Sequence, residues 1–211
     1  VEMTHDFVEK EMLPHEETLE RTDALPPELA ASLKKRSIQL GLHACNLPEE
    51  VGGGGLAAVS VMLIEKELGR TSLAMAECAH RPLNILASCE GEQVKQFLEP
   101  TVRGEKRDCI AMTEPGAGSD LRGMKCKAVL EGDDWIINGE KHFISQASVS
   151  DYCVLFAATG KDEIDKDSKK ASLTRISAFL VDFSDPGVEV APGYKNVSHR
   201  GYTNNILRFD N

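Results

Sequence analysis

The residues best suited to chemistry lie in one string, Ala111-Met-Thr-Glu-Pro-Gly-Ala-Gly-Ser-Asp120. The apolar run Cys109-Ile-Ala-Met-Thr113 leads into it, so the chain leaves a strand at Met112 and enters a loop carrying Pro115, Gly116 and Gly118. Without a Cβ, those glycines let the main chain approach a flat ring or a pyrophosphate closely, with N–H donors exposed. Thr113 and Ser119 add hydroxyls that can hydrogen-bond either group. By itself Gly-x-Gly reads as a structural turn, and it is no dinucleotide fingerprint, because the third glycine and the following helix are missing. The glycines of Asn46 to Gly55 lack the Lys-Ser/Thr of a phosphate loop and read as a tight surface turn between helices. Cys45, Cys78, Cys89, Cys109, Cys126 and Cys153 show no CxxC and no zinc spacing, and the six histidines show no HExxH. The cysteines read as reduced, buried thiols of an intracellular compartment, and the histidines as structural or solvated.

The length of 211 residues suits one large domain or two small ones, and a hydrophobic fraction of 41% is ample for a core. The net charge of -10 is spread over both halves with no basic stripe, which excludes nucleic acid as a partner. Charges or turn residues interrupt every apolar run, so no transmembrane segment is expected. The first ten residues include Glu2, Asp6 and Glu9 and show no signal or transit peptide.

The elements that must position the loop fall into two textures. Helices are predicted from about Thr4 to Arg21, kinked or divided at Pro14, and then from Pro26-Pro27 to Gly41. Further helices are predicted over Leu56 to Arg70, over Ser72 to Cys89 with an interruption at Pro82, and over Gly91 to Val102. Beyond about Lys106 come strand candidates at Cys109–Thr113, Lys125–Leu130, Trp135–Gly139, Tyr152–Ala158, Ser177–Val181, Val188–Val190 and Ile206–Phe209. Asn138-Gly139 and Asp185-Pro-Gly187 signal turns, and Lys161 to Lys170 reads as a solvated loop. Helices followed by strands indicate an α+β chain.

The whole string is more specific than its glycines. With Ile137-Asn-Gly-Glu-Lys141 and Phe143-Ile-Ser145 downstream, it closely resembles the acyl-CoA dehydrogenase family of flavoproteins. The agreement extends to Leu47-Pro-Glu-Glu-Val-Gly-Gly53, to Glu65–Gly69, and through Pro186-Gly-Val188 to Arg208-Phe-Asp210. The resemblance implies an all-helical N-terminal domain over 1–107 and a β-barrel-like, flavin-binding middle domain over 108–211. The helical C-terminal domain of the family is absent from this sequence. The implied activity is FAD-dependent oxidation of an acyl-CoA to the 2,3-enoyl-CoA, with the α proton removed by a base while a hydride leaves the β-carbon for flavin N5. Ile110, Met112 and Thr113 are expected along the isoalloxazine, and Gly118 and Ser119 near the FAD pyrophosphate, with Ser119 also reaching the acyl-CoA. Phe143 takes an aromatic position packed on the flavin, Ile144 follows it, and the Ser145 hydroxyl is expected at N5, where a donor stabilises developing negative charge.

Some positions depart from the family pattern. Ile110 stands where an aromatic is common, and Gln146-Ala-Ser replaces the usual Asn-Gly run. His80-Arg81-Pro82 falls in the helix that lines the acyl pocket in relatives, and reads as a helix break with solvated side chains. Lys169 and Lys170 read as a solvated face rather than as CoA-phosphate ligands. The base is expected from the C-terminal domain, since Glu114 matches a structural position that bonds nearby backbone. A polypeptide of these residues alone is therefore expected to bind FAD weakly and to turn over negligibly. The implied partners are the acyl-CoA and an electron-transfer flavoprotein or similar acceptor, with a homo-oligomer at full length in the bacterial cytoplasm or mitochondrial matrix. An acyl-CoA oxidase, a flavin monooxygenase of the same fold, and a non-catalytic binding or assembly protein are the alternatives.

Overall fold

A computed structural model describes residues 1–161 and 174–211. Lys169, Lys170 and most of the Lys161–Lys170 loop lie outside the described residues. The chain divides into two compact units: Val1–Arg107 with Asn196–Tyr202, and Asp108–Lys195 with Thr203–Asn211.

The first unit is helical. Helix α1 (Glu2–Phe7) runs through a wide π turn at Val8–Met12 and a 3-10 turn at Leu13–His15 into α2 (Glu16–Thr22). Helix α3 spans Pro27–Gln39, α4 Ala58–Leu68, α5 Leu73–Ala76 and α6 Glu99–Val102. A second π turn, Val94–Leu98, precedes α6. Each π turn ends two residues before a proline, Pro14 or Pro100. A proline ring clashes with the carbonyl four residues back, here Lys10 or Gln96 at the centre of each π turn. Widening the turn moves that carbonyl aside without breaking the helix. Phe7, Val8, Met12, Leu19, Leu33 and Leu68 form the heart of this core.

The helix predicted over Ser72–Cys89 with an interruption at Pro82 forms only as two short pieces. Only Leu73–Ala76 is α-helical, with a 3-10 segment at Asn84–Ser88. Pro82 disfavours helical geometry at Arg81. The intervening carbonyls also find donors elsewhere: Arg81 on Ala76 at 3.2 Å, Arg107 on Glu77 at 3.0 Å, the Ser37 hydroxyl on Cys78 at 3.0 Å and the Ala44 N–H on His80 at 3.0 Å. Tertiary donors thus replace helical ones.

The second unit is a curled, seven-stranded half-barrel sheet. Its strands are β1 (Asp108–Ala111), β2 (Lys127–Glu131), β3 (Asp134–Ser145), β4 (Tyr152–Lys161), β5 (Thr174–Asp182), β6 (Val188–Ala191) and β7 (Asn204–Asp210). One edge of β4 pairs with β5 along its length, while the other is shared between β1 and, at Ala158, β2. From β2 the order continues through β3 and β7 to β6. The continuous apolar run of β4 buries Tyr152, Cys153, Val154, Leu155 and Ala157, as a strand covered on both faces requires.

Asp185-Pro-Gly187 turns the chain between β5 and β6, with Gly187 at φ +80°. Asn138-Gly139 does not turn it. Both residues lie inside β3, paired with Asp210 and Phe209. The β2–β3 reversal falls instead at Gly132-Asp133, where Gly132 has φ +66°. Position 139 needs glycine for space, since a Cβ there would stand 2.6 Å from the Cys126 Cα.

Candidate functional site

The two motif strings meet in the second unit. The Lys141 Nζ donates to the Met112 carbonyl at 3.0 Å, across 29 positions of sequence. The next residue, His142, donates its N–H to the Thr113 carbonyl at 2.8 Å. The end of β1 is thereby tied to the stretch of β3 that carries Phe143, Ile144 and Ser145.

Lys141 and Glu114 are the internal fastening. Their side chains are 0% and 4% exposed and meet at 2.8 Å. The Glu114 carboxylate also accepts the N–H groups of Lys125 at 2.6 Å and Cys126 at 3.0 Å. Burial opposes ionisation of Glu114, but Lys141 and the two N–H donors outweigh it and hold the carboxyl below its usual range. A carboxylate so committed closes the loop at both ends. The Glu114 N–H donates to the Ala117 carbonyl and the Ala117 N–H to that of Glu114, making a small hairpin of Glu114–Ala117. Asp120 then accepts the Arg122 N–H at 3.0 Å and caps the turn Leu121–Gly123.

Gly118 and Ser119 stand on the exposed limb after the hairpin. Neither Gly116 nor Gly118 has positive φ, and a Cβ on either would meet nothing within 4 Å. Nothing in the fold requires glycine at these two positions. The hydroxyls of Thr113, Ser119 and Ser145 have no side-chain partner among the described residues.

Phe143 is the conformational exception in β3. Its φ is +57°, at a bulge where the pairing with β7 shifts between Lys141 and Ile144. A bulky residue rarely holds this left-handed geometry, and it re-aims the side chain. Phe143 is 53% exposed and Ile110 41%, so both present apolar surface to solvent. Ile144 goes the other way: at 2% exposure its side chain belongs to the core, so only its main chain is available to a ligand. Ser145 is partly buried and pairs with Asn204 on β7. Gln146, in place of Asn-Gly, takes left-handed φ of +59° and leads into the 3-10 turn Ala147–Val149. Its N–H donates to the Thr203 carbonyl at 2.9 Å.

Lys141 and Tyr194 are the neighbours that the sequence did not single out. Lys141 carried no signal except its place in Asn-Gly-Glu-Lys. Tyr194 stacks on Phe143 with ring centroids 4.5 Å apart, and its hydroxyl meets the His142 Nδ1 at 2.8 Å. Only the sheet, folding Tyr194 back beside β3, brings these rings together.

In the first unit, His80 and Arg81 are not solvated, contrary to expectation. His80 is 8% exposed, and Arg81 is bonded to Glu65 and to the Ala76 carbonyl. Burial works against the charge of Glu77, yet His80, Arg107 and Arg81 lower its carboxyl to about 2. Arg81 is therefore an internal tie whose cationic end is already engaged.

Among the described residues no group of histidine, cysteine, aspartate or glutamate side chains is arranged to hold a metal ion. Among the described residues no helix is long and apolar enough to cross a membrane.

Comparison with known proteins agrees with this geometry. Residues 1–105 match the family model for the acyl-CoA dehydrogenase N-terminal domain, and residues 109–211 match that for the middle domain. The chain is 35% identical to a probable acyl-CoA dehydrogenase, YngJ, of Bacillus subtilis, over 95% of this chain and 51% of that protein. It is 32% identical to the caffeyl-CoA reductase-Etf complex subunit CarC of Acetobacterium woodii, over 89% of this chain and 48% of that one. Among solved structures, a putative acyl-CoA dehydrogenase of Mycobacterium smegmatis superposes with a TM-score of 0.81 at 28% identity, over 99% of this chain and 53% of that one. An acyl-CoA dehydrogenase of Bacillus anthracis complexed with FAD gives 0.78 at 29% identity, over 99% and 34%. The chain thus spans about half the length of the curated relatives it matches. On both domain models and on these folds, the chain belongs to the acyl-CoA dehydrogenase family, of which it carries the N-terminal and middle domains.

Proposed function

We propose that the protein containing this chain is an FAD-dependent enzyme that oxidises an acyl-CoA to the 2,3-enoyl-CoA. In this reading, residues 1–107 form the helical domain and residues 108–211 the domain that receives the flavin. The observation that carries it is the joining of the Met112–Ser119 loop to the Phe143–Ser145 stretch by Lys141 and His142, beside an exposed Phe143 ring. The residues present fit the cofactor. Gly116 and Gly118 keep clear a space that a Cβ would enter, and the Thr113, Ser119 and Ser145 hydroxyls have no side-chain partner among the described residues.

FAD, when bound, supplies the acceptor for the hydride leaving the β-carbon. Ile110 and Phe143 would offer apolar cover for the flat ring, which the main chain at Met112, Thr113 and Ile144 would border. The Thr113 hydroxyl or amide would hydrogen-bond the pyrimidine side, and the Ser145 hydroxyl would donate at N5. Gly118 and Ser119 would present N–H groups to the pyrophosphate, and Ser119 would also contact the acyl-CoA. Glu114 is not the base that removes the α proton, because its carboxylate is buried and held by three donors. That base is assigned to the part of the protein that follows the middle domain in relatives. An electron-transfer flavoprotein is the proposed electron acceptor, in keeping with the name of the Acetobacterium relative. The whole protein is proposed to be a homo-oligomer of the bacterial cytoplasm or mitochondrial matrix.

The test is anaerobic titration of the intact, FAD-loaded protein with straight and branched acyl-CoAs. The expected result is bleaching of the flavin absorbance with enoyl-CoA appearing by mass spectrometry. A protein that takes up no FAD, or a flavin that none of the thioesters reduces, overturns the proposal. Rapid reoxidation of the reduced flavin by oxygen identifies an oxidase instead.

A further inference from the structure

We infer that Tyr194 is a positioning residue for the flavin-facing wall: held by His142, its ring backs Phe143 and sets that ring's free face toward the cofactor. The inference rests on the flavin reading above and extends it to residues outside the motif strings.

Phe143 and Tyr194 are large aromatic side chains, 53% and 43% exposed, that stack at 4.5 Å with their planes 23° apart. That separation and tilt fall within favourable aromatic packing. Tyr194 covers one face of Phe143, so the surface left open belongs to the other face and the edge. Phe143 holds a left-handed backbone, which a phenylalanine keeps only where its surroundings over-determine it.

Tyr194 is itself held from two directions. Its N–H donates to the Asn204 carbonyl at 2.9 Å. The preceding Gly193 lies so close to β7 that a Cβ there would stand 1.8 Å from the same oxygen, which fixes the chain's approach. On the side-chain end, the Tyr194 hydroxyl meets the His142 Nδ1, and the His142 Nε2 meets the Glu140 carboxylate at 2.5 Å. Glu140 can only accept, so Nε2 carries a proton, and Nδ1 shares the second hydrogen bond with the tyrosine hydroxyl. Glu140 is anchored in turn by the Arg208 Nε at 2.8 Å, and Arg208 by Glu189 at 3.2 Å. A chain of polar contacts across β3, β7 and β6 thus ends on an exposed aromatic stack. The core makes no use of that stack, and a planar ligand on the open face of Phe143 would.

The experiment compares Tyr194→Ala and Tyr194→Phe with the wild type in the intact protein. It reads near-ultraviolet circular dichroism without FAD and FAD affinity by flavin fluorescence, with far-ultraviolet melting as the control for folding. Tyr194→Ala is expected to lose the aromatic signal, to keep its melting temperature and to bind FAD roughly three- to tenfold more weakly, the worth of one aromatic pair. Tyr194→Phe keeps the ring but loses the hydroxyl that His142 holds, and is expected to fall between the wild type and Tyr194→Ala in both readings. Wild-type affinity in Tyr194→Ala overturns the inference, as does wild-type affinity in Tyr194→Phe, which would leave the His142 contact without a role. A wild-type protein with no FAD affinity defeats the functional reading itself, and this inference with it.

Discussion

At the scale of single residues, the Glu114–Lys141 pair does the work that brings two distant strings to one place. Both side chains are buried, so removing one strands the other without a counter-charge. Lys141→Met is expected to destabilise the folded state by about 3–5 kcal/mol in denaturant unfolding, and a second change, Glu114→Gln, to return part of that loss. Two glycines separate the demands of fold and ligand. Gly139→Ala pushes a methyl group into Cys126 and is expected to cost about 1–3 kcal/mol. Gly118→Ala meets open space, so its effect on stability is expected to stay within about 0.5 kcal/mol while FAD affinity falls. Equal FAD affinity in Gly118→Ala would remove that residue from the proposed pyrophosphate contact. The type and order of the loop residues were readable from sequence. The partners of Glu114 were readable only as bonds to nearby backbone, because a pairing over 27 positions leaves no local mark.

At the scale of elements, both predictions and errors trace to where backbone groups find partners. Pro14 and Pro100 leave their helices continuous because a π turn absorbs each ring. Pro82 ends one, because the carbonyls ahead of it are taken by Arg81, Arg107, Ser37 and Ala44. Glu77 lies at the start of that break, directly after Ala76. Its carboxyl is lowered from 4.5 to about 2 in the folded protein, so it contributes stability that is fully present above about 4.5 and is lost as pH falls toward about 2. Unfolding free energy measured across that acid range is expected to fall less steeply in Glu77→Gln than in the wild type. An unchanged slope would mean that Glu77 is not the group responsible. In the sheet, Asn138-Gly139 misled as a turn because the same dipeptide also suits a strand pressed against its neighbour.

At the scale of the whole molecule, six thiols and an acidic surface describe a chain whose cysteines serve packing. All six are free, and burial raises Cys78 and Cys126 to about 11. Five are buried and Cys89 is partly exposed. A thiol titration is therefore expected to find at most about one fast-reacting group in the native protein and all six in denaturant without reductant. Fewer than six in denaturant would reveal a disulfide. The change from helices to strands near residue 107, the loop that follows Met112 and the family were all written in the sequence, because hydrophobic period, turn chemistry and motif strings are local properties. The bulge that turns Phe143 outward, the burial of Ile144, the stacking of Tyr194 and the dissolution of the Ser72–Cys89 helix were not. Each depends on which strand edge or distant donor arrives beside it, and that is settled only when the chain closes on itself.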